Sequence, residues 1–366
     1  RASGSIDRLC GDNHGPAEDP YPRPSPYRCG HAQCLSVDVV PSAPHQAALE
    51  ANRGNPDYVG ISGLAQLTFS EEPGHARQGA KQGVLAAAER VNQGDLLDAA
   101  TTIAHAGRWG EETNAMRLGF IGLGTMGRPM ALHLAGGGHT MAFFARRPEA
   151  ARALTLAGGT GCVTPAAVAE RSEVVFTMVT GTSDVEQVLL GDSGVIHGAS
   201  SGSLVIDMST IDPTATRSMA TTLAARGIDM LDAPVSGGPQ GALAATLTIM
   251  VGGPTPAFER AGPLFRLLGP TVVHLGENGA GQTTKACHQL ALLVTAQGVA
   301  EALVLAGRCG LDVERVRQVM MGGVASSRVL ELFGARMASR DFEAGIEARL
   351  YHKDLDIALN LAHARG

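Results

Sequence analysis

The chain has 366 residues, of which 44% are hydrophobic and 17% charged, and its net charge is −6. That length allows two or three domains with a sizeable core, and the mild acidity argues against nucleic acid or an acidic membrane surface as a partner. No apolar run is expected to reach the length of a membrane span, no signal peptide is evident, and the six scattered cysteines suit free thiols in a reducing, cytoplasmic setting.

Residues 1–115 form a distinct first part. The first fifty residues are rich in Pro, His, Arg, Ser and Gly and show no sustained period, so a largely disordered extension is expected. Cys29 and Cys34 flank His31, with Cys10 and His14 upstream. A second matched ligand pair is missing, so no metal site is assigned. All 12 methionines lie at or beyond Met116. The functional protein is therefore expected to begin at Met116.

From Met116 the pattern becomes alternating strands and helices. Strands are predicted at 117–122, 140–145, 173–178, 203–208, 228–232, 246–251 and 271–275, with helices such as 213–225 and 254–268 between them. This alternation predicts an α/β fold with a doubly wound, mostly parallel sheet over 116–280. Between the first strand and its helix lies Gly122-Leu123-Gly124-Thr125-Met126-Gly127. The G-x-G-x-x-G spacing permits a tight turn, a close backbone approach and close helix packing, which suits a pyrophosphate at a helix N-terminus. The second strand ends in Ala145-Arg146-Arg147 where an acidic residue would read the ribose of NAD. Paired guanidinium groups suit a 2′-phosphate, so NADP is favoured, with NAD possible.

Asp232-Ala233-Pro234-Val235-Ser236-Gly237-Gly238 follows a strand. Ser236 with the Gly237 and Gly238 amides could hold a carboxylate, or the stretch could be a structural turn. Beyond about residue 279 the pattern is entirely helical: one long apolar helix over 281–308, then helices near 312–320, 327–338 and 348–364. The long helix suggests packing between domains or subunits, hence a homo-oligomer. Lys285 and His288 share one face of it. Lys285 could snorkel to water, or it could face a cleft and transfer a proton, its proton affinity lowered by burial.

Four stretches, 119–130, 232–253, 279–289 and His352-Lys353-Asp354-Leu355, together resemble the β-hydroxyacid dehydrogenases in motif content and order. The resemblance implies a Rossmann-type domain followed by an all-α C-terminal domain over 281–366, which looks short for the family. It implies Lys285 as the catalytic proton donor and Ser236, Gly237, Gly238 and His288 as the substrate site. Val179, Thr180, Thr210 and Lys353 would line the cofactor beside the glycine turn. The reaction implied is NADPH-dependent reduction of a small 3-oxo acid without a metal, tartronate semialdehyde to D-glycerate first. Methylmalonate and succinate semialdehydes are the alternatives, and a non-catalytic dinucleotide-binding protein is a further one. Two positions depart from the family: His288 stands where Asn is usual and Ala245 where Gly is usual. Lys-x-x-His also resembles 6-phosphogluconate dehydrogenase, but Leu292 occupies the place of that enzyme's acid.

Overall fold

A computed structural model describes residues 115–343 and 345–366. The expected N-terminal extension and the cysteine–histidine cluster lie outside those residues, up to Ala115. The described residues lie within one compact unit that runs to Gly366.

The first half is a parallel sheet covered on both faces. Its strands are β1 (Arg117–Ile121), β2 (Thr140–Phe144), β3 (Thr160–Gly161), β4 (Val174–Thr177), β5 (Leu204–Asp207) and β6 (Asp229–Asp232). They lie in the order β3-β2-β1-β4-β5-β6. The order reverses beside β1, the place where such sheets open a crevice at the strand carboxyl ends. The helices between them are α1 (Gly127–Gly136), α2 (Pro148–Leu156), α3 (Pro165–Ala169), α4 (Thr182–Leu190) and α5 (Pro213–Ala224).

Side-chain alternation assigns the two faces. Leu118, Phe120, Val174, Phe176, Leu204, Ile206 and Leu231 enter one core cluster, while Ile121, Val175, Val205 and Met230 enter the other. Successive strand residues point to opposite faces, and both faces here are under helices. That is why β4 and β5 each open with three apolar residues in a row and are buried at every position.

The last predicted strands do not extend the parallel sheet. They are β8 (Thr248–Val251) and β9 (Thr271–His274), which form a separate sheet with β7 (Val235–Ser236) in the order β7-β8-β9. The cause is local. Past Ala233 and Pro234 the chain runs on from β6 into β7 in the same direction. Both stretches pair antiparallel with β8 in one register, through Asp232↔Gly252 and Val235↔Ile249, so β8 runs against β6 and cannot continue the parallel order. A bridge between Asp232 and Gly252 is the seam with the main sheet. Helix α6 (Gly238–Ala244) follows β7, and α7 (Thr255–Arg266) joins β8 to β9. Ala245 ends α6 in the left-handed region at φ 53°. A Cβ makes that conformation cost about 1–2 kcal/mol, which explains the usual glycine.

Beyond β9 everything is helical: α8 (Ala280–Arg308), α9 (Val313–Met321), a π-helical turn (Leu330–Gly334) running into α10 (Ala335–Ser339), and α11 (Ala348–His363). The helix expected over 327–338 is present as one continuous run over 328–339 with the π turn inside it. The expectation that no segment reaches spanning length also needs correction. Helix α8, with 29 residues and a mean hydropathy of 1.8 in its most apolar window, is long and apolar enough to cross a membrane. Its buried face nevertheless carries Gln282, Lys285 and Gln289, and it packs on β8 and α11. Leu290, Val294, Val304 and Leu305 on the same helix are exposed.

Candidate active site

The site is built at the carboxyl ends of β1, β2, β4, β5 and β6, where α8 and α11 come down on them. Its first part is the glycine turn. Gly122 has φ +99°, and a Cβ there would lie 2.2 Å from the carbonyl oxygen of Met178. A Cβ on Gly127 would lie 1.9 Å from the carbonyl oxygen of Gly122. Only glycine allows strand, turn and helix to close this tightly. Gly124 faces open space, with nothing within 4 Å of its missing Cβ. A cavity of about 350 Å³ opens there, lined by Leu123, Gly124, Thr125, Arg128, Arg147, Glu149 and Ala150.

This cavity sorts the two arginines of the β2 end. Arg147 lines it and Arg146, exposed, does not. Arg128, on the first turn of α1, lines it too. The sequence reading passed over Arg128 because it lies inside the helix rather than at the strand end. Free amides, open space at Gly124 and the two guanidinium groups fit a dinucleotide phosphate.

The β4 and β5 ends come next. Val179 Cγ1 would lie 2.9 Å from a Cβ on Gly122, which places it against the turn. Its amide donates to Ser209 Oγ at 3.0 Å. Thr180 is exposed in the following loop. Behind them Asp207 is fully buried and accepts from Thr177 Oγ1 at 2.7 Å and the Ser209 amide at 3.2 Å. Burial pushes its carboxyl up to about 6, against these bonds.

Helix α8 is pinned to these ends by two side chains. Asp232, at the end of β6, accepts from the amides of Gly279 at 2.8 Å and Gln282 at 3.0 Å. It thereby satisfies donors that a helix N-terminus leaves free. Gln282 donates to the Ser209 carbonyl at 2.8 Å and accepts from the Ile211 amide at 3.1 Å. Lys285 follows one turn later on the same face and so is aimed at the crevice.

Lys285 is 7% exposed. Its Nζ donates to Gln289 Oε1 at 3.0 Å, and His288 Nδ1 lies 3.0 Å from the same oxygen. Gln289 Nε2 donates to Asp354 Oδ2 on α11 at 2.6 Å. His288 Nε2 lies 3.0 Å from Ser236 Oγ. Gly237 and Gly238 follow Ser236 directly at the start of α6. On α11, Lys353 Nζ donates to the Thr210 carbonyl at 2.5 Å and pairs with Asp354 Oδ1 at 2.8 Å. Lys285, His288, Ser236, Lys353 and Thr210 thus fall into one connected set. Gln289 and Asp354 join it without a local signal to announce them, because their pairing spans 65 residues.

Burial lowers Lys285 to about 8, assisted by the Lys353 cation and opposed by the Asp354 carboxylate. Burial, then the Lys285 cation, also lowers His288, while its bond to Gln289 acts the other way. A buried lysine that holds and releases a proton near neutrality, beside a hydroxyl and glycine amides, can protonate an oxygen developing negative charge.

Known proteins resemble the chain over most of its described residues. Residues 117–276 match the NAD-binding domain of 6-phosphogluconate dehydrogenase. Residues 279–366 match the NAD-binding domain of NADP-dependent 3-hydroxyisobutyrate dehydrogenase. The chain is 46% identical to 2-hydroxy-3-oxopropionate reductase of Escherichia coli K12 over 249 residues, covering 68% of this chain and 85% of that protein. It is 38% identical to 3-hydroxyisobutyrate dehydrogenase of Pseudomonas aeruginosa over 254 residues, covering 68% and 85% respectively. Among solved structures, 3-hydroxyisobutyrate dehydrogenase of Mycobacterium tuberculosis with L-serine superposes with a TM-score of 0.63 at 33% identity, covering 69% of this chain and 88% of that one.

Proposed function

This chain belongs to the β-hydroxyacid dehydrogenase family, NAD(P)-dependent enzymes acting on small hydroxy acids, and we propose from that premise that it reduces tartronate semialdehyde to D-glycerate with NADPH. The observation that carries the reading is the buried Lys285, held by Gln289 beside the Ser236–His288 pair. The choice of substrate is supported by the 46% identity to the reductase of that type.

The residues take these roles. The Gly122–Gly127 turn, with Leu123, Thr125 and Met126, receives the pyrophosphate on bare amides. Arg147 and, at the surface beside it, Arg146 face the adenosine end. Val179, Thr180, Thr210 and Lys353 line the nicotinamide half. Ser236, Gly237 and Gly238 hold the substrate carboxylate, with His288 behind Ser236. The bound dinucleotide supplies the hydride to the aldehyde carbon. As charge builds on the aldehyde oxygen, Lys285 donates its proton to it and afterwards regains one from solvent. Hydride and proton together convert the aldehyde to a primary alcohol, and Lys285 stabilises the alkoxide while it lasts.

The test follows NADPH oxidation with tartronate, methylmalonate and succinate semialdehydes. Tartronate semialdehyde is expected to give the highest kcat/KM, by at least about tenfold over either rival. A higher value for methylmalonate semialdehyde would move the assignment to a 3-hydroxyisobutyrate dehydrogenase.

The cofactor preference has its own test. Arg147→Ala is expected to raise KM for NADPH about 10–100-fold, the loss of one charge-assisted phosphate contact, and to leave KM for NADH unchanged. An equal change for both cofactors would mean that Arg147 does not read the 2′-phosphate. Arg146→Ala is expected to do much less, because Arg146 does not line the cavity.

A further inference from the structure

We propose that His288 is a proton-accepting positioning residue: it takes up a proton as an anionic substrate group docks at Ser236, and this turns the Ser236 hydroxyl from the imidazole toward the anion. The inference rests on the carboxylate site read above at Ser236–Gly238 and names what controls it.

Hydrogen-bond polarity fixes the starting state. Lys285 Nζ can only donate and the Asp354 carboxylate can only accept. Gln289 lies between them, so its Oε1 faces Lys285 at 3.0 Å and its Nε2 faces Asp354 at 2.6 Å. His288 Nδ1 lies 3.0 Å from that same Oε1 and must therefore carry a hydrogen. A neutral imidazole then has a bare Nε2, which accepts the Ser236 hydroxyl hydrogen across 3.0 Å. In this state Ser236 shows the site only lone pairs, the wrong polarity for a carboxylate. One added proton reverses the bond. Nε2–H now donates to Ser236 Oγ, and the hydroxyl hydrogen is free to donate to the anion. No heavy atom has to move.

The surrounding charges set when this happens. On α8, the Lys285 ammonium faces His288 and disfavours a second cation. From α11, Asp354 and its partner Lys353 reach it through Gln289. β7 and α6 contribute the Ser236 hydroxyl and no titratable side chain. With burial added, His288 is held below the ordinary imidazole range and is neutral in the free site near pH 7. An arriving anion favours the charged form. A neutral ligand does not, so the same device selects anions.

The experiment is a calorimetric titration of D-glycerate into the full chain with NADPH bound, near neutral pH, in two buffers of different ionisation enthalpy. NADPH and a hydroxy acid are both reduced, so no turnover intrudes. The chain is expected to take up about one proton per glycerate, with Kd weakening about tenfold per pH unit above neutrality. His288→Asn is expected to bind glycerate with no uptake and a flat pH dependence, and His288→Gln to do the same should Asn perturb the helix. Retained NADPH binding verifies that each variant is folded. Equal uptake with and without His288 would place the proton on Lys285 and overturn the proposal. So would zero uptake in the unchanged chain, or no binding of glycerate at all. Proton uptake with glycerate but no turnover of tartronate semialdehyde would overturn the assigned reaction and leave the role of His288 standing.

Discussion

Lys285→Ala is expected to lower kcat for aldehyde reduction about 10²–10⁴-fold, the range for loss of a positioned general acid. NADPH affinity should stay within about twofold, since no bond from the glycine turn or the β2 end reaches the lysine and uniform binding is untouched. Single-turnover NADPH oxidation together with a fluorescence titration of NADPH would check both halves. A loss in kcat below about tenfold would remove Lys285 from the proton-donor role.

The same group predicts a pH limb. Burial brings Lys285 down to about 8. Reduction needs the protonated amine, so kcat should be level below about 8 and fall tenfold per pH unit above it. Oxidation of the hydroxy acid needs the neutral amine, so its kcat should rise toward that value and then level. The Asp354 carboxylate favours the charged lysine. Asp354→Asn should therefore move both limbs to lower pH. A shift to higher pH would contradict the assigned electrostatics.

Asp232→Ala is expected to have the largest effect on stability. Asp232 is fully buried and accepts from the amides of Gly279 and Gln282 at the start of α8. Removing the carboxylate strands two buried donors at about 1–3 kcal/mol each, roughly 2–6 kcal/mol in all. For a domain of this size that lowers Tm by about 5–15 °C. The effect should spread to activity, because the same turn of α8 carries Gln282 into the β5 loop and sets the pitch on which Lys285 sits. Thermal unfolding followed beside kcat would show both. A Tm within about 2 °C of the unchanged chain would mean that water or a repacked helix end replaces the carboxylate.

Much of the fold is legible in local pattern. Each of the seven strands read from the sequence is present within a residue or two of its predicted ends. Unbroken apolar runs such as 174–176 announce strands covered on both faces. The two strands that were missed, Thr160–Gly161 and Val235–Ser236, are two residues long each and too short to show a period. The glycine turn is legible because its spacing reflects steric needs within a few residues. Lys285 is legible because a charge on an apolar helix calls for a reason.

The rest rests on contacts between residues far apart in sequence, for which a single chain carries no periodic signal. Gln289 meets Asp354 across 65 residues and Asp232 caps α8 across 47. Lys353 reaches the Thr210 carbonyl across 143. Arg128 and not Arg146 joins Arg147 at the cavity, because helix rotation, not position beside the strand end, decides which guanidinium group faces it. The parallel order ends at β6 because β8 pairs antiparallel with the continuation of that strand through Val235 and Ser236. By itself, then, the sequence determined the strand–turn–helix start, the alternation that builds the sheet and the lysine on the long helix, all of which depend on neighbours within about one or two turns or strands. Tertiary structure alone decided that Ser236, His288, Gln289, Lys285 and Asp354 form one hydrogen-bonded set, since hydrogen bonding depends on distance in space and not on separation along the chain.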